Sequence, residues 1–447
     1  MQKRFSGYEA LCAAAGCALL AVLASGCATT KAAKSAPALA SGSCAIALLA
    51  HQGEETFDRE LRQRQSKIKQ MHEQGLDVAA NVEALGWRFV EKARRSYDPG
   101  FYKMAEQCAT CVEALNAERL TEPGKLKNAA ALLLRGHILQ NLHRFSEAQP
   151  LAIELVEKRG LAFDFMLLGD VLLEQGKLRE ATVAYQKLLD LKPGLQAYVR
   201  AAQLRWLSGD TEGAIEMALQ AAQAASPKEA EASAWATTRL AFYQLHHGAL
   251  PQAAASCESA LELFPDYAPA LLMKGRVLLA QQRASAAIPF LQTAAKLNPL
   301  PEYQWTLADA LRAESRDAEA QTVEAALQAK GATEDPRTYA LYLATRSSDA
   351  AQAMKLAEEE LKTRQDAHSY DALAWAGYRA GQTEAAWQNM QKALATGVQD
   401  TRLHFHAAAI AQAAGQRAEA SKHFKQARQR SQALLPSERA QLLKLNL

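Results

Sequence analysis

A small residue returns along this chain at a nearly constant interval. Ala148, Ala181, Ala214, Ala253, Ala287, Ala320, Ala353, Ala386 and Ala420 follow one another at steps of about 33 or 34 positions. Such a period means one supersecondary unit copied many times, and it restricts the fold more than any single residue could. Only the step into Ala253 is long, by about five residues, and a polar, Pro-bearing run, Ala225-Ser226-Pro227-Lys228-Glu229-Ala230, lies in that gap. Prolines recur where units close, at Pro193, Pro265 and Pro299, because the chain must leave one helix before starting the next. Abundant Ala, scarce β-branched runs and the lack of a convincing alternating strand pattern predict an all-α chain.

The best copy of the unit begins at Ala162. Phe165, Leu168, Gly169, Leu172, Gly176, Ala181, Tyr185, Leu188 and Pro193 fall on its fourth, seventh, eighth, eleventh, fifteenth, twentieth, twenty-fourth, twenty-seventh and thirty-second places. These residues resemble the tetratricopeptide repeat (TPR), whose pattern is W-x2-L-G-x2-Y, then A-x3-F, A and P. An earlier copy is distorted: Leu85-Gly86 and Phe89 match a first helix, but Ala105 comes late, after the loop Arg95-Ser96-Tyr97-Asp98-Pro99-Gly100. The resemblance runs from about Ala79 to Ala427 and implies ten helical hairpins stacked as an α-solenoid, the TPR superhelix, within residues 55–447. It also implies a scaffold or adaptor that binds protein or peptide segments.

Packing explains the period. At about 100° per residue, places four, seven, eight and eleven cluster on one side of the first helix, and places twenty, twenty-four and twenty-seven on the inner side of the second. Small residues at eight and twenty let the two backbones approach. One hairpin cannot bury that stripe alone, so neighbours must stack. Helices at each end are expected as caps: Phe57, Leu61, Ile68 and Met71 share a face between Glu54 and Gln74, and Leu434, Leu435, Leu442 and Leu443 lie in a closing helix over the last repeat.

The N-terminus carries a second signal. Lys3 and Arg4 precede an apolar stretch from about Ala10 to Ala24, and then comes Leu23-Ala24-Ser25-Gly26-Cys27. This resembles a bacterial lipoprotein signal peptide over 1–26, which implies cleavage before Cys27 and lipidation of that residue. Ala28, where an Asp would retain a lipoprotein in the inner membrane, implies a periplasm-facing lipoprotein of the outer membrane. Residues 27–54 then read as lipidated Cys and flexible tether, rich in Ala, Ser, Thr and Lys. The alternative is an ordinary cleaved secretory signal.

Of seven cysteines, Cys12 and Cys17 fall in the signal and Cys27 is the lipid site. Cys108-Ala-Thr-Cys111 has redox spacing but lies in a predicted second helix, without the strand of a redox motif or a second pair for zinc. Cys108, Cys111 and Cys257 therefore read as small packing residues, with a disulfide within the Cys108–Cys111 pair as the alternative.

Places two, five, nine and twelve of each first helix lie opposite the hairpin core, on the concave face. Trp87, Trp206, Trp235, Trp305 and Trp375 all land there. Beside them on the first helices stand Arg200, Arg239, Arg276, Asp309, Arg312, Asp371, Tyr378 and Arg379, with His137 and Asp170. Aromatic anchors mixed with Arg are the composition of binding hot spots, so these residues are the candidate partner-binding groove. Trp375, Tyr378, Arg379 and Asp371 form the densest patch. A carbohydrate binder, above all of peptidoglycan, using the same rings is the competing reading, followed by an enzyme of unrecognised type.

No catalytic residue, cofactor or metal is expected. His246 and His247 are adjacent and diverge on a helix, His404 and His406 face different sides, and no nucleophile elbow, phosphate loop or dinucleotide turn is present. A net charge of +3 on 447 residues, with Lys and Arg dispersed, argues against nucleic acid.

Overall fold

The computed structural model describes residues 39, 41–117, 126–226, 228–346, 349–445 and 447, all within one compact unit, Ala38–Leu447. The signal segment, Cys27 and the start of the expected tether lie outside the described residues. Among the described residues there are 23 α-helices, one 3-10 turn and no strand.

Two helices, α1 (Gly42–Ala47) and α2 (Thr56–Glu73), precede ten antiparallel hairpins. The hairpins pair α3 (Ala79–Ser96) with α4 (Gly100–Leu115), α5 (Ala129–Asn141) with α6 (Phe145–Lys158), and α7 (Ala162–Glu174) with α8 (Leu178–Leu191). Next come α9 (Leu195–Leu207) with α10 (Thr211–Gln223), α11 (Ala230–His247) with α12 (Leu250–Leu263), and α13 (Ala268–Ala280) with α14 (Ala284–Leu297). The last four are α15 (Pro301–Ala313) with α16 (Asp317–Glu334), α17 (Pro336–Arg346) with α18 (Ala350–Leu361), α19 (Ala367–Arg379) with α20 (Thr383–Leu394), and α21 (Thr401–Ala413) with α22 (Arg417–Gln429). A 3-10 turn (Ser431–Ala433) leads to α23 (Pro436–Leu443).

The small-residue period has the physical cause expected of it. Every periodic alanine from Ala148 to Ala420, and Ala105 in the distorted copy, is at most 1% exposed, wedged between the two helices of its hairpin. Gly169 shows how close the approach is: a Cβ there would stand 2.4 Å from the Tyr185 ring, so no larger residue fits without displacing it. The long step into Ala253 is spent mostly on α11, which has 18 residues against 13 in α9 and α13. Asp210, Asp349, Asp366 and Asp400 cap the N-termini of α10, α18, α19 and α21, each accepting from a backbone N–H of the first turn.

Three expectations change here. Residues 41–54 are not a loose tether: α1 packs on α4, and Cys44 forms a disulfide with Cys111. The buried Gln65 of α2 fixes the same segment, its amide donating to the carbonyls of Ala47 (3.0 Å) and Leu49 (2.7 Å) and accepting from His51 N–H (2.9 Å). Cys111 is therefore a cross-link to a segment 67 residues away, whereas Cys108 and Cys257 are buried and unpaired. The third change is at the C-terminus. The turn and α23 do pack on the last hairpin, touching α21 and α22, but they also run along first helices of earlier repeats, touching α13 and α15.

The stack also curves until distant repeats meet. Gln365 N–H donates to Glu174 O at 3.0 Å and Arg364 pairs with Glu174, joining the loop after α18 to the end of α7. The Tyr97 hydroxyl accepts from Ala268 N–H at 2.9 Å, joining the end of α3 to the start of α13. The concave face is consequently narrow, and much of what points into it is covered.

Candidate concave binding site

The first helices α3, α5, α7, α9, α11 and α13, with the start of α15, enclose a cavity of about 1010 Å³. Trp87, Arg200, Trp235, Arg239 and Arg276 from the candidate set line it, with His137, Asp170, Phe242, Tyr267 and Tyr303. Trp87 and Trp235 are half-buried. Trp87 is held by its indole N–H, which donates to Glu83 Oε1 at 2.8 Å, and its ring lies 5.3 Å from that of His137. Asp170 is the polar centre: both carboxylate oxygens accept from Arg200 at 2.6 Å, and Oδ1 also accepts from the Tyr185 hydroxyl at 2.8 Å. Arg239 donates to Gln203 Oε1 (2.7 Å) and the Tyr243 hydroxyl (2.8 Å), with its guanidinium 4.8 Å from the Phe242 ring.

Charge in this cavity is largely settled within it. Arg94 pairs with Glu231 at 3.4 Å, Arg200 with Asp170, and Arg276 with Glu302 at 3.4 Å. Burial pushes the Glu231 carboxyl up, and burial together with the nearby Arg94 charge pushes His137 down to about 4, so that imidazole is neutral at pH 7. The arrangement offers aromatic surface with matched charges at its rim, suited to an apolar side chain carrying a polar backbone and not to a polyanion.

The remaining candidates do not join this cavity. Trp206 and Trp305, 2% and 1% exposed, face a second space of about 310 Å³ that extends into the later repeats and shares Arg239, Phe242, Arg276 and Glu302 with the first. Part of that face is occupied by the chain's own C-terminal segment. Ser437 donates to Asp309, Arg276 Nη2 donates to Ala433 O at 3.3 Å, and Arg402 pairs with Glu438. Arg312 closes its own hairpin, pairing with Glu324 of α16.

The densest predicted patch is packing. Trp375 is 1% exposed, its ring stacked on His406 at 4.1 Å and its indole N–H donating to Thr345 Oγ1 at 3.0 Å. Asp371 is buried against the same histidine, Oδ1 standing 2.8 Å from His406 Nδ1. Tyr378 and Arg379 are half-buried, with the Tyr378 ring 5.3 Å from that of Trp375. Side chains of neighbouring first helices fill this stretch, so Trp375 and Asp371 offer no face to a ligand.

Sequence reasoning passed over Glu302, His368 and Arg402, which line the second space. All three sit at place two of their repeats, the place that Trp235 occupies in its own.

Family models described as tetratricopeptide repeat match residues 165–194 and 244–313. No curated protein matches the chain in sequence. Among solved structures, the APC/C hetero-tetramer Cut9-Hcn1 is similar at 14% identity, with 90% of this chain and 98% of that one covered and a TM-score of 0.38. PilF of Pseudomonas aeruginosa is similar at 14% identity over 52% of this chain and 97% of its own, with a TM-score of 0.39. The human IFIT1 dimer with PPP-AAAA is similar at 12% identity, covering 87% and 93%, with a TM-score of 0.46. Matched in repeat sequence, and built from ten stacked hairpins with an alanine buried in each, the chain is a tetratricopeptide repeat protein.

Proposed function

We propose that this protein is a scaffold that binds protein or peptide segments in the concave cavity of its first seven repeats, and that a lipid on Cys27 holds it at the outer membrane. One observation carries the binding reading: a cavity of about 1010 Å³ is left unfilled by the chain, with half-buried Trp87 and Trp235 on its walls, Arg94, Arg200 and Arg276 paired with carboxylates, and Arg239 held by neutral partners. Rings in such a site supply apolar contact at small conformational cost, and the arginines orient polar backbone groups. The anchor reading rests on Leu23-Ala24-Ser25-Gly26-Cys27, and assistance to envelope assembly follows from both together. No reaction is assigned to the protein.

Trp235→Ala with Arg239→Ala tests the cavity. The pair should weaken photo-crosslinking of envelope proteins to this face while circular dichroism stays that of the parent, and undiminished crosslinking would remove the cavity from the binding surface. Binding of cell-wall glycan fragments, abolished by the same pair, would replace the peptide reading with the carbohydrate one. For the anchor, Cys27→Ala should shift the protein out of the membrane fraction. Equal recovery of parent and variant there would end the lipoprotein reading.

A further inference from the structure

The C-terminal segment behaves in this fold as a bound peptide does. From α22 it passes through the turn Ser431–Ala433, continues as an extended Leu434-Leu435 pair and ends in α23. A cap would touch the last hairpin alone, whereas this segment also reaches three earlier repeats. It takes one anchor from each of four repeats: Arg276 of α13 donates to Ala433 O, Asp309 of α15 accepts from Ser437, Thr345 O of α17 accepts from Gln441 Nε2 at 3.0 Å, and Arg402 of α21, in the last hairpin, pairs with Glu438. Leu434, Leu435 and Leu442 are buried, and Glu438 is fully so.

Two further observations bear on whether the segment can be exchanged. Its shape is largely self-made. Arg439 donates to the carbonyls of Ser431, Gln432 and Leu434 at 3.1 to 3.3 Å, and Glu438 accepts from Leu435 N–H at 2.9 Å, closing the start of α23. The groove supplies pockets and a countercharge, not the fold of the tail. The tail also leaves recognition groups unused: the indole N–H groups of Trp206 and Trp305 and both ring nitrogens of His246 are buried without a hydrogen-bond partner, and all three residues line the space of about 310 Å³ beside it. A buried donor without an acceptor forfeits the hydrogen bond it had in water, so an occupant with additional acceptors would suit the groove better than the tail does.

We propose that residues 431–443 are an intramolecular stand-in for a ligand, and that the groove of the later repeats takes a partner segment of the same chemistry. That segment has two leucine-like side chains followed by Pro-Ser-Glu at the start of a helix, its carboxylate going to Arg402. This rests on the reading of the concave face as a surface for protein segments, and it names a second site with its own specificity. Occupancy by the tail lowers the apparent affinity for such a segment by the fraction of molecules in which the groove is open.

The probe is a fluorescent peptide of residues 431–447 added to the full-length chain. Glu438→Arg in the chain sets two cations against each other and should loosen the tail, so the labelled peptide should bind that variant about tenfold tighter or better than it binds the parent. Adding Arg402→Glu to the same chain restores an opposite-charge pair, reseats the tail and should abolish the gain. Equal binding by parent and Glu438→Arg chains, with folding verified by circular dichroism, would overturn the proposal. Hydrogen exchange on the unaltered chain is an independent check that needs no variant. Amides of α23 should exchange through local opening, faster than those of α21, and exchange of α23 only on global unfolding would make the tail a fixed part of the core. If these tests fail while Trp235→Ala alone, at a residue that lines only the first cavity, still weakens binding, the first cavity stands and only the second site falls.

Discussion

Ser437 donates both its backbone N–H, at 2.9 Å, and its hydroxyl, at 2.6 Å, to a single oxygen of Asp309, a residue 128 positions earlier in the chain. Asp309 is 3% exposed, and burial raises its pKa from 3.8 to about 6 despite the two donors, which act to lower it. The folded state thus binds this proton more tightly than the unfolded chain. The stability it contributes is whole below about pH 4, falls between there and about pH 6, and is lost above. Asp309→Asn, which cannot titrate, should flatten the fall in melting temperature between pH 4 and 6. Parallel profiles for parent and variant would show that Asp309 is not the group responsible.

Reduction should loosen the N-terminal repeats. The Cys44–Cys111 bond closes a loop with a sequence separation of 67, for which chain entropy gives about 4 kcal/mol in the oxidised protein. Cys44→Ser is expected to lower the melting temperature and to raise hydrogen exchange in α1 and α4 first, because those helices carry the link. A variant as stable as the parent under oxidising conditions would mean the bond does not form in solution.

Trp375→Ala is expected to act on stability. Emptying the site removes the ring stacked on His406 and leaves the Thr345 hydroxyl without the indole donor, at a cost of about 3–5 kcal/mol for a large aromatic in a packed core. Denaturant unfolding measures it. A loss below about 1 kcal/mol with weakened partner binding would return the residue to the binding surface.

Ala181 and Ala287 test the repeat register. Each is completely buried between its paired helices, so Ala181→Glu or Ala287→Glu forces an unpaired charge into the contact, costing on the order of several kcal/mol. Both variants should melt well below the parent, and two unchanged melting curves would be incompatible with the helix pairing described above.

The concave set illustrates where a pattern stops being informative. Trp235 and Trp375 obey the same wheel rule, yet Trp235 borders an open cavity while Trp375 is sealed under His406. Trp235 stands at place two and Trp375 at place nine, and the neighbouring first helix finishes the difference: α21 brings His406 and Phe405 across Trp375. Exposure on the inside of a curved stack depends on how tightly it winds, and winding is the sum of many small rotations between hairpins.

The sequence by itself determined the helical hairpin, its register and its number, because those rest on contacts within about 34 residues, where a fixed period forces a fixed face. Alanine at place twenty could only be the point of closest approach, and the structure places it there throughout. Tertiary structure alone decided the long-range closures: Cys44 to Cys111, Arg364 to Glu174, Tyr97 to Ala268, and the tail on Asp309 and Arg402. Each joins residues whose separation has no fixed relation to the repeat. No local pattern encodes such a pairing: the disulfide needs α1 laid on α4, and the others need a stack curved enough to bring distant helices within reach.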